Sequence, residues 1–272
     1  MLVYHLSFIG KRICNSIFAT NLQHLSKKIK VGIVSYLNTR PLIYGFSRTE
    51  IQDQIELVEE YPSKLAEMLK NDEIDIGLIP IAVLPEISSY KIVGDYCIAA
   101  EGEVASVCLF SESPMNEIQT IYLDYQSRSS VALLKWLMKE YWGLHAELIQ
   151  ATDDSFREKI HGTTAGLIIG NRALQQRKIS TFFFDLSSEW KKITGLPFVF
   201  AAWISKKEFS PEFIKEFNEA NALGLKHIDE IAEANPFPWF DLKKYYNFNI
   251  SYILDERKKQ GMKKFLETLH NE

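Results

Sequence analysis

Three stretches of this sequence carry polar groups suited to chemistry on a small molecule. The first is VSYLNTRPL, in which Tyr36, Asn38, Thr39 and Arg40 follow the apolar run Val31, Ile33 and Val34 and precede Pro41. In an open α/β sheet the loops past the carboxyl ends of the strands line the ligand crevice, and Asn38 and Thr39 each donate and accept hydrogen bonds. The second is DYQSRSS, where Ser127, Arg128, Ser129 and Ser130 open an apolar-periodic helix. Free backbone N–H groups and the helix dipole favour an anion there, and a carboxylate is the natural guest. The third is Ser106 in GEVASVCLFS, expected inside a strand between Val104 and Val107. Each stretch also has a plainer explanation. Asn38, Thr39 and Ser127 are good helix caps, Arg128 suits a solvated first turn, and Ser106 suits a satisfied structural hydroxyl. Cys108 shares the strand face of Ser106 and reads as core packing.

What is missing narrows the chemistry. No GxSxG elbow accompanies Ser106, and no GxGxxG or GxxxxGK[ST] loop is present to hold a nucleotide. Cys14, Cys97 and Cys108 stand apart from His145, His161 and His227, so no metal site is expected. Glu59, Glu60, Asp72 and Glu73 read as solvated faces rather than an acid and base pair. An enzyme here is expected to need no cofactor. A net charge of −4, without a basic run, argues against a nucleic-acid partner. No stretch approaches a membrane span, and nothing specifies an oligomeric state. The odd cysteine count fits a reducing, cytoplasmic setting better than a disulfide framework.

The elements that must position these groups alternate between strand and helix signals. Strands are expected at Ile55 to Val58, Ile74 to Ile79, Val104 to Phe110, Ile121 to Leu123, Leu167 to Ile169, Thr181 to Phe184 and Phe198 to Ile204. Pro62 and Pro211 each open a helix, and Met262, Phe265 and Leu266 mark an amphipathic helix near the end. With 272 residues, 46% of them hydrophobic, the chain suits two lobes better than one. Passages between lobes are expected near Ser111 to Pro114 and near Thr194 to Pro197. That gives a first lobe of residues 29–112 with 196–272, a second of 113–195, and a hinged clamp that closes over a ligand. Residues 1–28 are basic, with Lys11, Arg12, Lys27 and Lys28 and no acid. They are expected to be a poorly ordered extension rather than a secretory signal, because charges interrupt the apolar run early.

Taken together, VGIVSYLNTRPLIYG, DIGLIPIAVL, GEVASVCLFS, LDYQSRSS, LIIGNRAL and TGLPFVFAAW resemble, in order and spacing, the chorismate dehydratases of the futalosine route to menaquinone. The resemblance runs from about Lys30 to the C-terminus. It implies an α/β, two-lobed clamp like the type II periplasmic binding proteins, no cofactor, and chorismate as substrate, which loses water to give 3-[(1-carboxyvinyl)oxy]benzoate. It further implies Asn38 and Ser106 as catalytic residues, with Tyr36, Thr39, Arg40, Ser127, Arg128, Ser129, Ser130, Asn171 and Gly195 binding substrate. No strong base is evident, which suits removal of the ring proton by the substrate's own enolpyruvyl carboxylate. Three features depart from the family pattern: SRSS where a third-position Thr is usual, Asn171 where Asp is usual, and the basic extension. The competing readings are a solute-binding protein for an acidic aromatic metabolite, the sister enzyme that forms dihydroxynaphthoate, and a ligand-sensing module. The SYLNTRPL loop disfavours the sister enzyme.

Overall fold

The computed structural model describes residues 28–269; the expected basic extension falls almost wholly outside them. The chain forms strands β1 (Ile29–Val34), β2 (Ile55–Glu60), β3 (Ile76–Pro80), β4 (Lys91–Ala100), β5 (Val107–Ser111), β6 (Thr120–Leu123), β7 (Glu147–Gln150), β8 (Thr164–Ile169), β9 (Phe182–Asp185), β10 (Phe198–Ser205) and β11 (Ser251–Ile253). Its main helices are α1 (Pro62–Lys70), α2 (Ser129–Leu137), α3 (Asn171–Gln176), α4 (Leu186–Thr194), α5 (Pro211–Leu225), α6 (Ile228–Ala234) and α7 (Glu256–Leu269). The strands make two sheets, ordered β11-β4-β10-β3-β1-β2 and β7-β6-β8-β5-β9.

The sheets share one plan. In each, three strands run parallel, β2-β1-β3 and β7-β6-β8, and the next strand, β10 or β5, lies antiparallel to them. That antiparallel strand is the one the chain enters on arriving from the other sheet. β10 is buried along its whole length because β3 and β4 flank it and both faces are covered. Its sequence, FVFAAWIS, is correspondingly a continuous apolar run rather than an alternating one.

The first passage between sheets differs from the expected one. β5 pairs with β8 and β9, so the chain leaves the first sheet at residues 101–106 and not at Ser111 to Pro114. β5 is fully buried between those two neighbours, which is why VCLFS looked from its sequence like any core strand. Ser106 accordingly sits in the turn before β5 rather than inside it. The return passage runs through residues 195–197, between α4 and β10.

One continuous apolar core spans both sheets. At the junction Trp190 of α4 packs on Trp136 of α2, Phe198 of β10 and Phe265 of α7, with ring centroids 5.1, 5.5 and 6.0 Å apart. The Trp190 indole N–H, which needs a partner once buried, donates to the Pro197 carbonyl at 3.3 Å. α5 presents Phe213, Phe217, Ala220 and Gly224 inward. At Gly224 the packing is backbone on backbone, since a Cβ there would stand 1.8 Å from the carbonyl oxygen of Pro41. Pro41 belongs to the short helix Arg40–Ile43 that follows the Tyr36–Thr39 loop. Gly224→Ala is therefore expected to pry these helices apart and to lower stability by about 2–3 kcal/mol, the usual cost of overpacking, read from the urea midpoint.

Candidate active site

The carboxyl ends of β1 and β3 in one sheet and of β6 and β8 in the other converge on a cleft of about 510 Å³, part of it open to solvent. Val34, Leu78, Ile98, Val104, Val107, Ile169 and Phe200 give it apolar walls, and its polar groups are Tyr36, Asn38, Thr39, Ser106, Ser127, Ser129 and Ser130. Among the described residues that line it, Tyr36 is the sole titratable side chain, and burial pushes its phenol pKa up. The described lining residues thus offer hydroxyls, an amide and backbone N–H groups, and no charge.

Seven of the eleven residues singled out in the sequence line this cleft, and four do not. Arg40 turns outward to Glu59 at 3.4 Å. Arg128 is exposed and lies 3.9 Å from Glu67. Asn171, at the start of α3, accepts the Leu37 N–H on its Oδ1 at 2.9 Å and so ties the first loop to the second lobe without facing the cleft. That bond needs an acceptor and no charge, so Asn serves where the family pattern has Asp. Gly195 ends α4 in a left-handed conformation (φ +71°), exposed and away from the cleft.

The serine loop does structural work as well as lining the wall. Ser127 Oγ accepts the Ser130 N–H at 3.1 Å, satisfying one donor of the first turn of α2, whose N-cap position is held by Arg128. Ser129 Oγ accepts the Ala82 N–H at 3.1 Å and donates to the Phe200 carbonyl at 3.0 Å, fastening α2 to the first sheet. Across the cleft mouth Tyr36 Oη donates to Gln126 Oε1, and Ser63 Oγ donates to the Tyr125 carbonyl at 3.2 Å. The two lobes are closed on one another.

Behind the serine loop lies an ion pair absent from the sequence reading. Arg172 Nη2 reaches both carboxylate oxygens of the fully buried Asp124, at 3.0 and 2.8 Å, and Gln126 Oε1 at 2.9 Å. Asp124 also accepts the N–H groups of Gln126 and Ile169, each at 3.0 Å. Burial pushes the Asp124 pKa up, and the guanidinium works against that rise. The arrangement fixes the loop after β6 to the end of β8.

The turn that carries Ser106 is held by a second residue the sequence did not flag. Asp185, at the end of β9, accepts the N–H groups of Val104 at 3.2 Å, Ala105 at 2.8 Å and Ser188 at 3.0 Å. Ala105 sits in the left-handed region (φ +62°), which costs a residue with a Cβ about 1–2 kcal/mol. The Ser106 N–H closes a tight turn on the Val104 carbonyl at 2.7 Å, and its own carbonyl accepts the Gly170 N–H at 2.8 Å. Gly170 has φ +67° and ψ −147°, a conformation essentially reserved for glycine, and a Cβ there would touch the Tyr36 ring at 3.0 Å. The third missed residue is Tyr245, whose buried hydroxyl lies 2.7 Å from Ser106 Oγ. A separation of 139 residues gave sequence reasoning no handle on that contact.

A family model described as menaquinone biosynthesis matches residues 29–271, nearly all of the chain. The chain belongs to this family. A chorismate dehydratase from Thermus thermophilus is 29% identical over 266 residues, covering 88% of this chain and 94% of the relative. A chorismate dehydratase from Campylobacter jejuni is 25% identical over 244 residues, covering 87% and 95%. Among solved structures, protein AF1704 of Archaeoglobus fulgidus superposes with a TM-score of 0.73 at 18% identity, over 91% of this chain and 98% of that one. The alkanesulfonate-binding protein SsuA of Xanthomonas axonopodis pv. citri, bound to MOPS, gives 0.63 at 13% identity, over 90% and 92%. At such identities these two likenesses speak for the fold, the two-lobed clamp of periplasmic binding proteins. Among the described residues of this family member, no helix is long and apolar enough to cross a membrane.

Proposed function

We propose that this protein is a chorismate dehydratase, which eliminates water from chorismate to give 3-[(1-carboxyvinyl)oxy]benzoate and acts in the cytoplasm on the futalosine route to menaquinone. The observation that carries the reading is an apolar-walled cleft whose polar groups are all neutral, in a chain of the menaquinone-biosynthesis family. The ring hydrogen beside the ether oxygen is acidified through the conjugated ring carboxylate, and loss of the neighbouring hydroxyl makes the ring aromatic. Such a reaction asks chiefly for orientation and for hydrogen bonds to developing charge. Asn38 and Ser106 supply the hydrogen bonds, and the Ser127 and Ser130 hydroxyls, with the N–H groups still free at the start of α2, receive a carboxylate.

The absence of a titratable base among the described lining residues, Tyr36 apart, supports proton removal by the enolpyruvyl carboxylate of the substrate. With Arg40 and Arg128 turned outward, no cation among the described lining residues lowers the basicity of that carboxylate. The C–H bond breaks toward the carboxylate, the C–O bond releases hydroxide, and the two combine as water, so the protein gains and loses no proton.

Purified protein mixed with chorismate, with and without a chelator, is expected to yield a product lighter by one water, detected by liquid chromatography and mass spectrometry. Saturable binding without turnover would instead point to a solute-binding protein.

A further inference from the structure

The buried phenol of Tyr245 touches one residue assigned to catalysis and lies beside the other. Its hydroxyl donates to Ser106 Oγ at 2.7 Å, and the Asn38 side chain is close enough to the phenol to oppose the rise in its pKa. Thr39 Oγ1 in turn donates to Asn38 Oδ1 at 3.3 Å. Thr39 gives its proton to the Asn38 carbonyl, which leaves the amide NH2 as the end able to face the phenol. The phenol has one proton and spends it on Ser106 Oγ. Ser106, having accepted, keeps its proton free for the cleft.

The scaffold around Tyr245 holds its hydroxyl against Ser106. The residue opens a π-helical turn, Tyr245–Asn249, and its ring packs against Phe240 and Tyr246 with centroids 6.0 and 5.7 Å away. π turns recur at functional positions because the extra residue re-aims a side chain. Burial keeps the phenol protonated, so it remains a donor. The opposite polarity, with Ser106 donating to Tyr245, would leave only lone pairs facing the electron-rich oxygen of a departing hydroxyl.

We propose that Tyr245 is a positioning residue that holds Ser106 as a hydrogen-bond donor to the hydroxyl leaving the substrate, an inference that rests on the dehydratase reading. Tyr245→Phe keeps the ring and removes the relay. It is expected to lower kcat about 10- to 100-fold, less than the roughly 100- to 1000-fold of an outright lost transition-state donor because Ser106 itself remains, with KM held within about twofold. Ser106→Ala should cost at least as much, and the double variant Tyr245→Phe/Ser106→Ala should be no worse than Ser106→Ala alone, since the two act as one unit. Additive losses, or a raised KM with kcat unchanged, would overturn the assignment.

A readout independent of turnover separates the relay from the reaction. In protein labelled with 3-fluorotyrosine, the 19F resonance missing from Tyr245→Phe should shift in both Ser106→Ala and Asn38→Ala. A resonance that stays in place in either variant removes the relay. Wild type that shows no dehydration fails the dehydratase reading, and the 19F shifts then decide the hydrogen-bond chain on their own.

Discussion

Asp185→Ala is expected to cost about 3 kcal/mol of stability, because it orphans the buried N–H groups of Val104 and Ala105 and uncaps α4 at Ser188. For a chain of this size that is roughly 6–12 °C in the thermal midpoint. The functional loss should be larger in proportion. Ala105 holds φ +62° against its preference only because the Asp185 carboxylate grips its N–H, and relaxation of that residue moves Ser106 directly. A misplacement of about 1 Å at a reacting group costs on the order of 100-fold in rate. Asp185→Asn should recover part of the stability at best, since one oxygen remains but the NH2 now meets a backbone N–H. Turnover of chorismate and a thermal melt on the same preparations check both claims.

Asp185 also gives the stability a pH signature. Burial pushes its pKa up to about 6 from the ordinary 3.8. The folded protein therefore binds a proton that the unfolded chain lacks between about pH 4 and pH 6. The stability gained from that proton is full below about 4 and is lost as the pH rises through about 6. Urea midpoints of wild type should rise relative to those of Asp185→Ala as the pH is lowered across this window.

Arg172→Met is expected to be the most damaging single change to the fold, at about 3–5 kcal/mol, because it strands the Asp124 carboxylate without its guanidinium. Arg172 also holds Gln126, which accepts the Tyr36 hydroxyl across the cleft mouth, so the variant should bind chorismate more weakly as well. The deficit has a definite pH dependence. In the variant the folded-state pKa of Asp124 rises further above its unfolded value, so protonation stabilises the fold as the pH falls, and the gap from wild type should be wider at pH 8 than at pH 5. Adding Asp124→Asn to Arg172→Met should restore part of the loss by removing the buried charge. Urea denaturation of the two variants at both pH values checks the sign.

The residues that the structure brings to the cleft are the ones whose place follows from local pattern. Tyr36, Asn38 and Thr39 follow a strand that β2 and β3 flank in parallel, so the end of β1 had to open on the crevice. The serine loop follows β6 for the same reason. Arg40 and Arg128 share those loops but not the cleft. Each sits one position from residues that face the cleft, yet a guanidinium in this neutral cleft would stand without a carboxylate partner. Glu59 and Glu67 draw them to the surface instead.

The amino-acid sequence by itself determined the α/β class, the strand-to-loop transitions that open the cleft, and the family to which the chain belongs, because periodicity and short motifs are properties of neighbours in sequence. Tertiary structure alone decided the rest. The allegiance of β5 depended on which buried strands completed its hydrogen bonds, and an all-apolar strand carries no mark of its sheet. Asp124 with Arg172, Asp185 with the Val104–Ala105 turn, and Tyr245 with Ser106 are pairs separated by 48, about 80 and 139 residues. Each polar group in them is buried only after the two lobes have formed, and burial is what makes each partner obligatory.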